Sequence, residues 1–307
     1  LTFDGTDLIL NGYASWVYFE EILGRPSKYK AFWWSPDSRK IGFYRFDNTN
    51  VPLFPIYSAF AKDYSGDPSH PTAAPAMSQS PKVTNLGIGG SLSETRYPKC
   101  GQTNPEVRIG IVEVPSFDPG VRVKSDGSYL IQPDIVWADF DPTVDQYFGI
   151  PFWGPDSEEF FIARMPRLQN TLDLYSVSVK DGSKKHIYNE TYKTWIDWMD
   201  QVVFTDKGLY MVRNFETGWQ QIYFLSYDGK EFRRLTDGTN WTVSVLRVDE
   251  KKGEVFFTAK RDAVAKQALY KVDKKGGIIA LTDTAYNAAG ITFSPDRKHF
   301  VASTTQK

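Results

Sequence analysis

The sequence predicts an all-β protein built as a β-propeller, and three observations predict it. Apolar residues come in short runs rich in Val, Ile, Phe, Tyr and Trp, bounded by Gly, Pro and Asp, without helical periodicity. A unit recurs along the chain: an aromatic or apolar residue, a tight turn on Pro-Asp or Asp-Gly, an apolar strand, a second strand and a polar turn. The Asp residues of the first turn, Asp156, Asp206, Asp249 and Asp296, stand 50, 43 and 47 residues apart. That is close to the period of about 40–50 residues of four-stranded propeller blades.

In chain order the unit is read at Phe32–Phe46 (FWWSPDSRKIGFYRF), Phe152–Arg164, Val203–Val212, Val248–Thr258 and Ile291–Ala302. It closes with an outer strand and turn at Tyr175–Lys184, Ile222–Thr236 and Leu269–Thr282. Asp37, the first such turn residue, precedes Asp156 by 119 residues, room for two to three units. Asp63–Glu94 breaks the pattern with Pro68, Pro71, Pro75, Pro81, several Ser and the run Gly87-Ile88-Gly89-Gly90. Prolines cannot donate to a ladder, so this stretch reads as an exposed inserted loop. At the observed period the length corresponds to roughly six and a half blades, with both ends cut through a repeat. The chain therefore reads as one partial propeller domain over residues 1–307, incomplete at both ends, with a Pro/Ser-rich insertion at about 63–94. A β-sandwich with the same turns is the competing architecture, but it has no reason to repeat at this period.

Hydrophobic residues at 41% and aromatics at 15% exclude a disordered chain and allow a large core. A formal charge of -1 supplies no broad positive field, which argues against a nucleic-acid partner. No apolar run is long enough to span a membrane, and Leu1–Leu10 lacks the basic start and apolar centre of a signal peptide. The single cysteine, Cys100, excludes an internal disulfide framework.

Catalytic machinery is expected to be absent from this chain. No G-x-S-x-G elbow occurs; the nearest match, Gly89-Gly90-Ser91-Leu92-Ser93, lacks the closing glycine. Ser27-x-x-Lys30 lacks its partner motifs, and His70, His186 and His299 sit in turn-like polar contexts. Asp139, Asp141 and Asp145 put three carboxylates in seven residues, but Pro142 breaks the register of a calcium loop, so they read as turn residues. No metal and no cofactor is expected.

The segment that demands explanation is Trp16-Val17-Tyr18-Phe19-Glu20-Glu21-Ile22-Leu23. Two adjacent carboxylates lie in an aromatic and aliphatic run, where an uncompensated buried charge is costly; they need a cation or water. Neighbours on a strand point to opposite faces, so both reach one ligand only if the segment leaves the sheet as a helical turn. The spacing of Trp16, Phe19 and Leu23 is compatible with such a turn. The plainer alternative is a solvated Glu pair capping a short helix.

Read with its neighbours, this segment resembles a known family. Trp16–Glu21, Phe32-Trp33-Trp34-Ser35-Pro36-Asp37, Tyr44-Arg45-Phe46-Asp47 and Val51-Pro52-Leu53 match, in order and spacing, the propeller domain of the dipeptidyl peptidase IV family of serine peptidases. The likeness continues through Arg96–Lys99, Asn104–Val107, Arg167–Asn170, Glu190–Trp195 and Leu235–Gly238, nearly the whole chain. It implies the later blades of an eight-bladed ring. It also implies a partner C-terminal α/β-hydrolase domain carrying the Ser, Asp and His, which lies outside this chain. Glu20 and Glu21 would bind the free α-ammonium of a peptide substrate, so that dipeptides leave from its N-terminus, with Pro or Ala expected at the second position. A homodimer is a further family expectation, and the isolated chain is expected to be inactive.

There are departures. Phe19 stands where many members have a third Glu, Trp198-Met199-Asp200 offers no arginine where mammalian members have one, and the family's other propeller arginine would precede Leu1. Family disulfides cannot form with Cys100 alone, which favours a bacterial type exported to the periplasm or cell surface. A non-enzymatic scaffold binding proteins or glycans is the rival reading, but it has no need of Glu20-Glu21. The propeller of a prolyl endopeptidase or acylaminoacyl peptidase has no use for an amine clamp.

Overall fold

The computed structural model describes residues 1–24, 29–58, 82–85, 91–115 and 133–306. They form antiparallel sheets following one another along the chain. The first orders Ile9–Asn11, Lys40–Asp47, Glu106–Glu113 and Ile135–Trp137, with Phe32–Trp34 also on Lys40–Asp47. The second orders Phe152–Trp153, Glu159–Pro166, Thr171–Ser178 and Lys184–Thr191, with Gln146–Phe148 also on Glu159–Pro166. Two four-stranded sheets follow: Val202–Phe204, Gly208–Arg213, Gln221–Ser226, Phe232–Arg234, and then Trp241–Asp249, Glu254–Lys260, Ala268–Val272, Ile278–Ala280. Asn287–Phe293 and Phe300–Thr305 pair as a two-stranded sheet. Each contains one of the units read from the sequence.

The Pro-Asp turns explain why. In Ser35-Pro36-Asp37-Ser38, proline pre-sets the second turn position, and the Ser38 N–H closes on the Ser35 carbonyl at 2.9 Å. The Asp37 carboxylate accepts from the Ser35 hydroxyl at 2.6 Å and the Arg39 N–H at 3.1 Å, which holds its pKa below the usual carboxylate value. The residue after the Asp is left-handed in each Pro-Asp repeat: Ser38, Ser157 and Arg297 have φ of 59°, 63° and 61°. Central strands such as Gly208–Arg213 and Gln221–Ser226 are buried almost throughout, hence their continuous apolar runs instead of alternation.

The chain divides into two compact units, Leu1–Phe160 with Val177–Lys184, and Phe161–Ser176 with Lys185–Lys307. The core of the first includes Tyr18, Phe43, Tyr44, Phe46, Ile109, Ile111, Phe148 and Phe160. It is close-packed at Gly42, where an added Cβ would stand 2.5 Å from the Phe160 ring. In the second, Tyr210, Ile222, Phe224, Val255, Phe257, Tyr270 and Val272 form one cluster.

Two sequence expectations need correction. The 119 residues before Asp156 hold, among the described residues, one blade-like sheet, not two or three, because after Asp47 the chain leaves for a separate three-stranded sheet before returning at Glu106. That sheet pairs Leu53–Ser58 with Ser91–Arg96, and Ser91–Arg96 with Lys82–Asn85. The 63–94 stretch is therefore not loop throughout: Lys82–Asn85 and Ser91–Glu94 lie in strands. Its prolines all precede Lys82, which leaves the ladder donors of those strands intact. Residues 63–81 and 86–90 lie outside the described residues, as do His70, Ser27 and the Gly87–Gly90 run.

Candidate substrate-binding site

Ile9–Asn11 and Phe32–Trp34 lie end to end on one edge of Lys40–Asp47: Leu10 faces Phe46, and Phe32 faces Phe43. Between them the chain leaves the sheet and returns to the same point. Gly12 N–H donates to the Tyr44 carbonyl and Tyr44 N–H to the Ala31 carbonyl, both at 2.9 Å, while Ala31 N–H reaches Gly12 at 3.0 Å. Ala14 N–H to the Tyr29 carbonyl at 2.8 Å extends this stem. Gly12 makes the exit with φ of 67°, where a side chain would be strained and would also meet the Phe32 ring.

Beyond the stem the segment is helical. No Gly or Pro interrupts Ala14–Leu23, and Gly24, with φ of 80°, ends it. Phe19 N–H bonds the Ser15 carbonyl at 2.9 Å, four residues back; Leu23 N–H bonds the Tyr18 carbonyl at 2.7 Å, five back. Tyr18–Ile22 is thus a π-helical turn, a local widening found often at functional sites. Glu20 and Glu21 are consecutive on it, Glu20 half-buried and Glu21 exposed. The expectation of a helical turn, and not a strand, holds for this segment.

Aromatic residues hold the turn in place. Tyr18 is fully buried, its ring 4.8 Å from that of Phe46 and 6.3 Å from those of Tyr44 and Tyr147. Its oxygen accepts from Phe148 N–H at 3.1 Å, and burial pushes the phenol far above its ordinary pKa. On the other side Phe19 stacks on Tyr29 at 3.8 Å and Tyr29 on Tyr13 at 4.9 Å. Desolvation in this stack pushes Tyr29 up to about 12. Trp16 meets Phe19 and Tyr97 edge-on at 6.0 and 6.3 Å. Tyr13, Tyr29 and Tyr147, and the contact of Tyr44 with Tyr18, are not singled out by the sequence; the available signal is the density of aromatics flanking the Glu pair. The hydroxyl of Ser15, at the start of the turn, is buried without a hydrogen-bond partner among the described residues.

Other singled-out residues serve structure. Asp141 caps its own turn at Thr143, Asp145 accepts from Asn104 at 2.9 Å, and Asp139 pairs with Lys184, so the three carboxylates take separate partners. Among the described residues no group of three or more His, Cys, Asp or Glu could hold a metal ion. His186 contacts Asp173 at 3.0 Å. Glu190 is buried against Arg213 at 2.7 Å, and Thr236 links the Ile222 N–H to Gln221. No helix among the described residues is long and apolar enough to cross a membrane.

The family model of the dipeptidyl peptidase IV (DPP IV) N-terminal region matches residues 1–307. The chain belongs to this family. Against other proteins, this DPP IV N-terminal region is 26% identical over 260 residues to venom dipeptidyl peptidase 4 of Apis mellifera, covering 82% of the chain and 29% of that protein. It is 26% identical over 280 residues to dipeptidyl peptidase 4 of Trichophyton tonsurans, covering 89% and 31%. The crystal structure of Porphyromonas gingivalis dipeptidyl peptidase 4 superposes with a TM-score of 0.70 at 23% identity, over 98% of this chain and 37% of that one. At that identity the likeness concerns the fold, an all-β propeller domain. The DPP IV N-terminal region described here spans about a third of the length of the curated relatives it matches.

Proposed function

We propose that this chain is the substrate-recognising propeller of a serine dipeptidyl peptidase, and that Glu20 and Glu21 bind the α-ammonium of the peptide substrate. The observation that carries the reading is the placing of both carboxylates on a π-helical turn that interrupts an edge strand and leaves the sheet. A strand would separate the two side chains; a helical turn sets them side by side. An ammonium about 4 Å from a carboxylate gains about 4 kcal/mol at an effective dielectric near 20, before desolvation is subtracted.

Bond chemistry belongs to a C-terminal α/β-hydrolase domain of the same polypeptide. Holding the amine fixes which peptide bond meets the serine of that domain, so cleavage follows the second residue. The substrate class is peptides with a free N-terminus, with Pro or Ala in second position, processed by an enzyme exported to a bacterial periplasm or surface.

The test is kinetic, on the full-length enzyme, with a dipeptidyl substrate and its N-acetylated form. Glu20→Gln or Glu21→Gln should lower kcat/KM for the free-amine substrate by about 30-fold to several thousand-fold, the usual effect of removing one partner of a desolvated charge pair. The acetylated substrate has no ammonium, so its rate should be poor throughout and unmoved by either substitution. Equal losses on both substrates would make the pair structural.

A further inference from the structure

We infer that Tyr18 is a positioning residue whose buried hydroxyl sets the angle at which Glu20 and Glu21 are presented; this rests on the ammonium-binding reading above. The carboxylates follow Tyr18 by two and three residues in one helical turn, so a rotation at Tyr18 is carried to both. The ring of Tyr18 fills an aromatic pocket of Tyr44, Phe46 and Tyr147, a role phenylalanine would serve equally. The oxygen does something packing does not require. It takes the N–H of Phe148, the last residue of Gln146–Phe148, which shares an edge of Glu159–Pro166 with Phe152–Trp153.

At the next residue the hydroxyl of Tyr44 donates to the Gly149 carbonyl at 2.6 Å. Two buried phenols thus hold the backbone of consecutive residues, Phe148 and Gly149, at one strand break. Only one of them, Tyr18, belongs to the turn that bears the carboxylates. Aromatic contacts are weakly directional, whereas a hydrogen bond to a fixed peptide defines an orientation. Without it the turn keeps its packing and loses its stop. Tyr44 supplies an internal control, since its hydroxyl also bonds to this break, as a donor and from the sheet.

The experiment compares Tyr18→Phe, Tyr44→Phe, Glu20→Gln and Glu21→Gln in the full-length enzyme. It uses the free-amine and N-acetylated substrates and a thermal melt of each variant. Tyr18→Phe should raise KM for the free-amine substrate about threefold to tenfold, with kcat within about twofold, the scale of one buried hydrogen bond acting on binding. Tyr44→Phe should lower the melting temperature as much as Tyr18→Phe does, with a smaller rise in KM. An unchanged KM for Tyr18→Phe, or an equal rise for Tyr44→Phe, overturns the inference. If the Glu variants lose the preference for a free amine while Tyr18→Phe keeps its KM, the positioning role alone fails; if the Glu variants keep that preference, the ammonium-binding reading fails and the inference with it. Should Tyr18→Phe not fold, 3,5-difluorotyrosine at position 18 keeps ring and oxygen but weakens the acceptor, and the same KM criterion applies.

Discussion

Removing one charge of the Glu190–Arg213 pair should cost a large part of the stability of this chain. The two side chains are 2% and 3% exposed and meet at 2.7 Å. Arg213 also donates to the carbonyls of Trp198 at 3.2 Å and Asp197 at 2.9 Å, and the Tyr188 hydroxyl donates to Glu190 at 2.9 Å. Burial pushes the Tyr188 phenol far above its ordinary pKa, so it stays a donor at all working pH values. Glu190→Gln keeps the shape and strands a buried guanidinium, at about 3–5 kcal/mol. Arg213→Met strands the carboxylate and frees two carbonyls, at a similar cost. Since folded domains are stable by only about 5–15 kcal/mol, either change should move the urea midpoint far. The double variant Glu190→Leu/Arg213→Met removes both charges and should be less destabilised than either single one. Urea unfolding of all three, followed by tryptophan fluorescence, decides the matter. Single-variant losses below about 1 kcal/mol, the level of an exposed pair, would refute the argument, as would strict additivity in the double.

Acid should weaken the fold through its turns. The Ser226 hydroxyl and Lys230 N–H hold the Asp228 carboxyl down at about 2 from a usual 3.8; Asp37 and Asp296 are lowered in the same way, and Asp273 by the backbone N–H groups of Gly277 and Lys275. A lowered folded-state pKa gives stability that is present above 3.8 and lost as pH falls toward 2, so Asp228→Asn should flatten the pH dependence of the urea midpoint in that window. Gly42→Ala should cost about 1–3 kcal/mol by driving a methyl into the Phe160 ring, read by thermal melting; no loss would mean the ring moves freely. The 307-residue chain alone should not hydrolyse a Gly-Pro chromogenic substrate, because it carries no G-x-S-x-G nucleophile; turnover abolished by a serine-directed inhibitor would contradict this.

How legible the molecule is depends on the range of the forces involved. Pro36-Asp37, Pro155-Asp156 and Pro295-Asp296 act through their own backbone and nearest neighbours, so their turns are plain in sequence and each joins two consecutive strands of one sheet. The strand break at Gly12–Ala31 is less plain, because what closes it is the N–H and carbonyl of Tyr44, distant in sequence. Glu20-Glu21 stood out through charge in an apolar setting; Tyr18, beside them, did not, because its hydrogen bond to Phe148 spans 130 positions. The gap between Asp37 and Asp156 is hard to read for a related reason. Turn spacing counts residues, and it cannot separate two blades from one blade carrying a side sheet at Leu53–Arg96.

The stem at Gly12 and Ala31 has a consequence for how such a chain can change over time. Both of its ends meet one residue, Tyr44, through its carbonyl and its N–H, so the ladder closes across the segment between them. The enclosed segment behaves like a parenthesis in the sheet. Doubling its length adds only about 0.6 kcal/mol of closure entropy, and no strand register has to slip to accommodate it. Insertions and deletions that spare the buried anchor Tyr18 can therefore accumulate inside the parenthesis while selection on the surrounding sheet continues undisturbed. A binding specificity housed there can drift, be lost or be transplanted into another propeller as a cassette.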